Sequence, residues 1–294
     1  MRIVKVILGL LFLVLMAFLP LKLSQWLGKL LGSCWYYFKR SRSYFVSKSN
    51  LDFCFQHLAE KERDALLKCS LQQTGMSLAE MGMSWLWPTS YTLKKVISVK
   101  GDEILQAAVD QGKGVIIIAP HIGNWEVLNL YASSVYPITV LYKPPKLKFF
   151  DWLINKMRSR LGGDMAPANP SGVRKLMKKL RNKGVIAILP DQEPAEGSGA
   201  YVHFFARPAY TMTLLSQLAA KTNCVVISGV GIREGSGFAI EFKTVDSNIN
   251  SKDNNISLLA LNQCIEKIAL DNPAQYQWEY KRFKKRQQGQ DNIY

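Results

Sequence analysis

From residue 102 onward the hydrophobic and polar positions fall into a regular alternation. Short apolar, largely β-branched runs predict buried strands at 115–119, 138–142, 185–189, 224–230 and 238–243. Apolar stripes at helical spacing predict helices at 103–111, from the end of the first strand to about 134, and at 149–161, 173–180, 211–221 and 256–270. Strands alternating with helices predict an α/β fold, a mixed sheet flanked by helices. Upstream the pattern changes. Residues 53–72 mix apolar and charged positions at helical spacing and read as a helix. Residues 75–100 carry Met76, Met81, Met83, Trp85 and Trp87 with no clear period. Such a stretch suits an acyl chain, a membrane surface or a loop packed on the core.

The N-terminus has its own signature. Positions 6–19 hold no charged or polar side chain. Extended to 3–23, the segment reaches the roughly 20 apolar residues that span a bilayer. That reading lets Lys5 and Lys22 snorkel at the ends. The shorter uncharged core also allows a tilted interfacial helix. No small-residue cleavage site follows, which disfavours a cleaved signal peptide. Lys22, Lys29, Lys39, Arg40 and Arg42 mark the following side as cytoplasmic, and Trp26, Trp35, Tyr36, Tyr37 and Phe38 suit an interface or ordinary packing.

Charge narrows the partners. A formal net charge of +16 over 294 residues points to an anionic partner: nucleic acid, an acidic membrane surface or an acidic protein. No zinc-finger, RNA-recognition or helix-turn-helix pattern accompanies it, and a hydrophobic N-terminus suits a genome binder poorly. We therefore expect no nucleic acid partner. The five cysteines, Cys34, Cys54, Cys69, Cys224 and Cys264, are odd in number and form no C-x-x-C. Reduced thiols in a cytosol-facing protein are expected, with neither a disulfide framework nor a metal site.

Candidate chemistry centres on 121–126, His-Ile-Gly-Asn-Trp-Glu, just past the strand at 115–119. Polar groups at strand ends are where α/β folds keep their chemistry. Five residues on an ideal helix amount to about 500°, so His121 and Glu126 do not share a helical face. They meet only if His121 lies in the turn and Glu126 in the first helical turn, with Gly123 and Asn124 supplying turn and cap. A carboxylate-oriented imidazole is a general base for a hydroxyl. The alternative is a structural histidine closing a strand end.

The ordered segments beyond this motif resemble the lipid A biosynthesis acyltransferase family, late acyltransferases of Gram-negative bacteria. These are relatives of glycerolipid acyltransferases with an H-x4-D/E motif. The resemblance rests on 119–126 (APHIGNWE), 142–145 (YKPP), 158–162 (RSRLG), 189–194 (LPDQEP), 204–209 (FFARPA) and 277–286 (QWEYKRFKKR). It implies a glycerolipid-acyltransferase-like fold and acyl transfer from acyl carrier protein to a hydroxyl of a lipid A precursor. His121 would be the base and Glu126 its orienting acid, with Arg158 (Arg160 being the neighbour open to confusion), Asp191, Gln192, Lys143 and Arg207 binding substrate. No cofactor or metal is implied. Family members often have Arg where Lys143 stands and Gly where Ala206 stands.

The division expected is a hydrophobic anchor at 1–24 and a catalytic domain at 25–294, at the bacterial inner membrane and facing the cytoplasm. Lys281, Arg282, Lys284, Lys285 and Arg286 form a basic cluster for phosphate or headgroups, or a solvated charge run. Other readings are an acyltransferase for another lipid acceptor (lysophospholipid, aminolipid or glycolipid) and a non-catalytic basic membrane-binding protein.

Overall fold

A computed structural model describes residues 2–205 and 207–294, with side chains from residue 7 onward. Ala206 therefore lies outside the described residues. The N-terminal part is helical: α1 (Arg2–Ala17), α2 (Leu21–Tyr37), α3 (Arg42–Cys54), α4 (Glu60–Leu86) and α5 (Thr89–Leu93). The alternating part follows as β1 (Val96–Lys100), α6 (Asp102–Asp110), β2 (Val115–Ile118), α7 (Trp125–Val135), β3 (Ile138–Tyr142), α8 (Lys148–Arg158), β4 (Asp164–Pro167), α9 (Pro170–Arg181) and β5 (Val185–Ile188). Then come β6 (Gly199–Phe204), β7 (Arg207–Met212), α10 (Leu214–Thr222), β8 (Val225–Glu234), β9 (Gly237–Thr244) and α11 (Asn254–Asp271).

Seven strands form one sheet in the order β1-β9-β8-β2-β5-β3-β4. All neighbours are parallel except β8 and β9. The expected mixed α/β sheet flanked by helices is thus the observed one. Side chains alternate across it as strand geometry requires. Ile116, Ile118, Ile186 and Ile188 pack with Leu176, Leu215 and Leu261 on one face. Val115, Ile117, Val185 and Ala187 pack with Leu105 and Leu128 on the other. Strands β1 and β4 and the hairpin β6–β7 were not anticipated.

The single helix expected over 53–72 is replaced by α3 and the 27-residue α4, which also takes in the first part of the aperiodic stretch, to Leu86. Helix α2 lies on α4 at backbone contact distance. A Cβ on Gly32 would sit 2.1 Å from the Leu71 carbonyl oxygen, and one on Gly75 would sit 2.1 Å from that of Gly28. Glycine at these positions is what lets the helices touch.

The apolar 3–23 segment is not one continuous helix. Helix α1 stops at Ala17, and the chain restarts as α2 behind Pro20, whose fixed φ suits a helix start and whose missing N–H ends the previous ladder. Sixteen residues at 1.5 Å each reach about 24 Å, short of a roughly 30 Å hydrocarbon core. Among the described residues no helix is long and apolar enough to cross a membrane.

Candidate active site

Two adjacent strands end alike. Strands β2 and β5 run parallel with Ile118 opposite Ile188. Each continues with an apolar residue, a proline and a polar residue: Ala119-Pro120-His121 and Leu189-Pro190-Asp191. Parallel register therefore brings His121 and Asp191 side by side beyond the C-terminal strand ends. Asp191 Oδ2 accepts the His121 backbone N–H at 2.8 Å, and Oδ1 lies 2.8 Å from Nδ1. A carboxylate on Nδ1 selects the Nδ1–H tautomer and leaves Nε2 with its lone pair. Asp191 is buried. Burial pushes its carboxyl up, but the His121 charge and the hydrogen bonds from the His121 ring and backbone outweigh that and hold it below the ordinary carboxylate value.

The expected pairing of Glu126 with His121 does not form; Asp191 is the carboxylate that stands against Nδ1. Asn124 caps α7, its Oδ1 accepting the Val127 N–H at 3.0 Å, so Glu126 falls in the first helical turn as anticipated. Its carboxylate instead takes the Arg158 guanidinium. Nε donates to both oxygens at 3.1 Å, and Nη2 bonds Oε1. Nη1 has no partner among the described residues, and Arg158 lines the cavity described below. Burial lowers the Arg158 pKa, but Glu126 more than compensates and raises it. Arg160 is turned away, donating to the Ser84 and Trp87 carbonyls at the end of α4.

The turn at 121–124 is clamped on every side. Gly123 adopts φ +57°, and a Cβ there would meet the Gly231 oxygen at 2.1 Å. Asn124 N donates to Gly231, Gly123 N to Gln275, and Gln277 N to the His121 carbonyl, at 2.7, 3.0 and 3.0 Å. Behind it lies a buried network that the sequence reading missed. Glu80 is held by Arg233 at 2.7 Å from both Nε and Nη2, by Gln25 at 2.8 Å and by Asn124 at 3.0 Å. The Arg233 Nη2 also reaches Ser77 and the Gly123 carbonyl. Helix α4 is thereby tied to the turn that carries His121.

A cavity of about 990 Å³ opens on this site. His121, Trp125, Glu126 and Arg158 stand on its wall, and Ile117, Leu128, Ala132, Ile138 and Val140 carry it back between α7 and the sheet. Gln192 and Lys143 also line it; Gln192 Nε2 lies 3.4 Å from His121 Nε2. Arg207, expected to bind substrate, is not part of the wall. It donates to the Asp291 carbonyl at 3.2 Å and lies 4.5 Å above the Phe53 ring. The C-terminal basic cluster is also not one patch. Arg282 is buried and donates at 2.8 Å to both Tyr210 O and Thr211 Oγ1, and Lys285 Nζ reaches the Pro194 carbonyl at 3.0 Å. No metal-holding group of His, Cys, Asp and Glu occurs among the described residues.

An imidazole with a lone pair on Nε2, a buried carboxylate behind it and a largely apolar cavity beside it can act as a base next to a long hydrocarbon chain. Comparison with known proteins agrees with that class. The family model of bacterial lipid A biosynthesis acyltransferases matches residues 1–285, and the chain belongs to that family. It is an acyltransferase. It is 27% identical over 283 residues to the lipid A biosynthesis palmitoleoyltransferase of Escherichia coli (strain K12), covering 94% of this chain and 90% of that one. It is 26% identical over 279 residues to the lipid A biosynthesis lauroyltransferase of the same organism, with the same coverage of 94% and 90%. A phosphatidylinositol mannoside acyltransferase of Mycobacterium tuberculosis (strain CDC 1551 / Oshkosh) is 25% identical over 153 residues, 49% of this chain and 46% of the relative.

Proposed function

We propose that this enzyme transfers a fatty acyl chain from acyl carrier protein to a hydroxyl of a lipid A precursor, with His121 as general base. His121 Nε2 takes the hydroxyl proton as that oxygen attacks the thioester carbonyl. The tetrahedral oxyanion is met by the spare Nη1 of Arg158, which Glu126 holds in place. Collapse breaks the carbon–sulfur bond; the departing thiolate takes the proton from Nε2, giving an ester and the carrier thiol. Asp191 holds the tautomer throughout. Lys143 and Gln192 serve the substrate end of the site. The observation that carries this reading is the pairing of a partly exposed His121 with the buried Asp191 beside a largely apolar cavity of about 990 Å³.

The same reading places the chain at the cytoplasmic face of the inner membrane. Ile7, Leu8, Leu11, Val14, Leu15 and Phe18 are all exposed and form one stripe along α1, as an interfacial helix requires. Helix α1 would be the membrane-contacting unit and the remainder the catalytic body. The test pairs a panel of acyl-carrier-protein donors with a tetra-acylated lipid A precursor, read by mass spectrometry. One added acyl group by the wild type and none by His121→Ala are expected. Near wild-type turnover by a folded His121→Ala variant would defeat the mechanism. The partial similarity to a mannoside acyltransferase favours a glycolipid acceptor as second reading. Lipid A acylation unchanged in cells lacking the gene would select it.

A further inference from the structure

Helix α8 has two faces of opposite character. Its inner stripe belongs to the site. Ile154 and Arg158 line the cavity. Tyr142 Oη donates to Asp151 and accepts from Asn155, both at 2.9 Å, fixing the helix to the end of β3. Its outer stripe is exposed: Phe149 and Trp152 are 53% and 54% exposed, and Leu147 just before the helix is 46% exposed. No residue of α8 is buried. Lys146, Lys148 and Lys156 flank the stripe in the chain and Lys146 and Lys148 are exposed, with Lys156 Nζ 4.8 Å from the Trp152 ring centroid. The one acid of this segment, Asp151, is turned inward to Tyr142.

Aromatics projecting from a lysine-rich helix face are the signature of an interfacial helix on anionic lipid. A second observation gives the direction. Trp87 Nε1 donates to the Ala17 carbonyl at the end of α1 at 2.6 Å, and Arg160, just past α8, donates to the Trp87 carbonyl at 2.7 Å. This short relay joins the end of α8 to the end of α1, where Phe18 is 83% exposed. An acidic protein would answer the lysines, but it would not account for the join to a second bare apolar stripe.

We propose that the outer stripe of α8, Leu147, Phe149 and Trp152 with Lys146, Lys148 and Lys156, is a second bilayer-contacting element that seats the cavity mouth on an anionic lipid surface. It rests on the reading that the acceptor is a membrane lipid. The contact lets a lipid hydroxyl reach His121 without the lipid leaving the bilayer.

The test uses the full chain and vesicles of phosphatidylglycerol with phosphatidylethanolamine, set against phosphatidylcholine vesicles. Hydrogen exchange of peptides within 146–158 is expected to slow on anionic vesicles and not on neutral ones. Brominated lipids should quench wild-type tryptophan fluorescence more than that of Trp152→Phe. Phe149→Ser/Trp152→Ser should act as wild type on detergent-dispersed acceptor and fall about tenfold on acceptor embedded in vesicles, from the loss of two partly buried aromatics. Lys146→Gln/Lys148→Gln should weaken vesicle binding by about fivefold per lysine at low salt. Protection confined to α1, or protection of 146–158 by acyl carrier protein but not by vesicles, overturns the proposal. Wild-type inactivity in both acceptor formats would instead defeat the proposed function, leaving the exchange and quenching results to decide on α8.

Discussion

Replacing Asp191 by asparagine separates two readings of the site. Asp191 offers two acceptor oxygens, one to the His121 backbone N–H and one to Nδ1, each at 2.8 Å. An asparagine keeps one oxygen and replaces the other by an NH2 group. The backbone N–H can only donate, so the amide oxygen stays there and the NH2 faces Nδ1. Nδ1 must then accept, the proton moves to Nε2, and the lone pair that should take the substrate proton is lost. The whole general-base contribution is at stake, roughly 10²–10⁴-fold, or about 3–5 kcal/mol at 1.36 kcal/mol per decade. Glu126→Gln acts differently. One oxygen still accepts from Arg158, so the guanidinium shifts while the imidazole keeps its tautomer. Single-turnover transfer across pH checks both, with circular dichroism as the folding control. Asp191→Asn should lose the base-dependent rate at every pH. Glu126→Gln should lower the rate while keeping the shape of the profile. Wild-type rates in Asp191→Asn, with the pH dependence altered in Glu126→Gln, would refute Asp191 as orienter and restore Glu126 to that place.

Three further outcomes follow from the geometry. Because the Asp191 carboxyl is held below its ordinary value of 3.8, the stability it adds is fully present above that value and fades as pH falls through the depressed one. Urea unfolding should show the gap between wild type and Asp191→Asn closing only in that acid range; a gap already closing near neutrality contradicts it. Glu80→Ala leaves the buried Arg233 charge uncompensated and should cost about 3–5 kcal/mol, lowering Tm by about 10 °C. Glu80→Leu/Arg233→Leu should recover much of that loss, and a Glu80→Ala melting curve superimposing on wild type would remove the network from the account. Ala132→Phe fills the far part of the cavity and should shift transferred chains to shorter lengths in mass spectra of the product; an unchanged chain profile would place the acyl group elsewhere.

The strands and helices that were legible in the alternating half are those that present one clean period or one unbroken apolar run. β2 and β5 are buried on both faces, so their runs are short and wholly apolar, and in β3 only Thr139 interrupts the run before Tyr142. Helix α4 was not legible for the opposite reason. It is packed by α1, α2, α3 and α7, so it shows no single apolar stripe. The hairpin β6–β7 stands apart from the seven-stranded sheet and lacks the long apolar run by which the other strands announce themselves.

The site divides along the same line. That His121 lies in a turn and Glu126 in the first helical turn follows from local chemistry, because Gly123 supplies φ above zero and Asn124 supplies the cap. Which acid meets the imidazole is not local. Asp191 is 70 residues away and reaches His121 because β2 chooses β5 as its parallel neighbour in one register. The two strands do carry a visible mark, an apolar run closed by one residue, a proline and a polar group, and only pairing turns that likeness into a contact. The H-x4-E spacing puts its two residues on one cavity wall without a bond between them: the cap sends Glu126 toward α8, where it meets Arg158, while the sheet brings Asp191 to the histidine. A spacing motif records which side chains share a pocket; the register of the strands decides which of them share a proton.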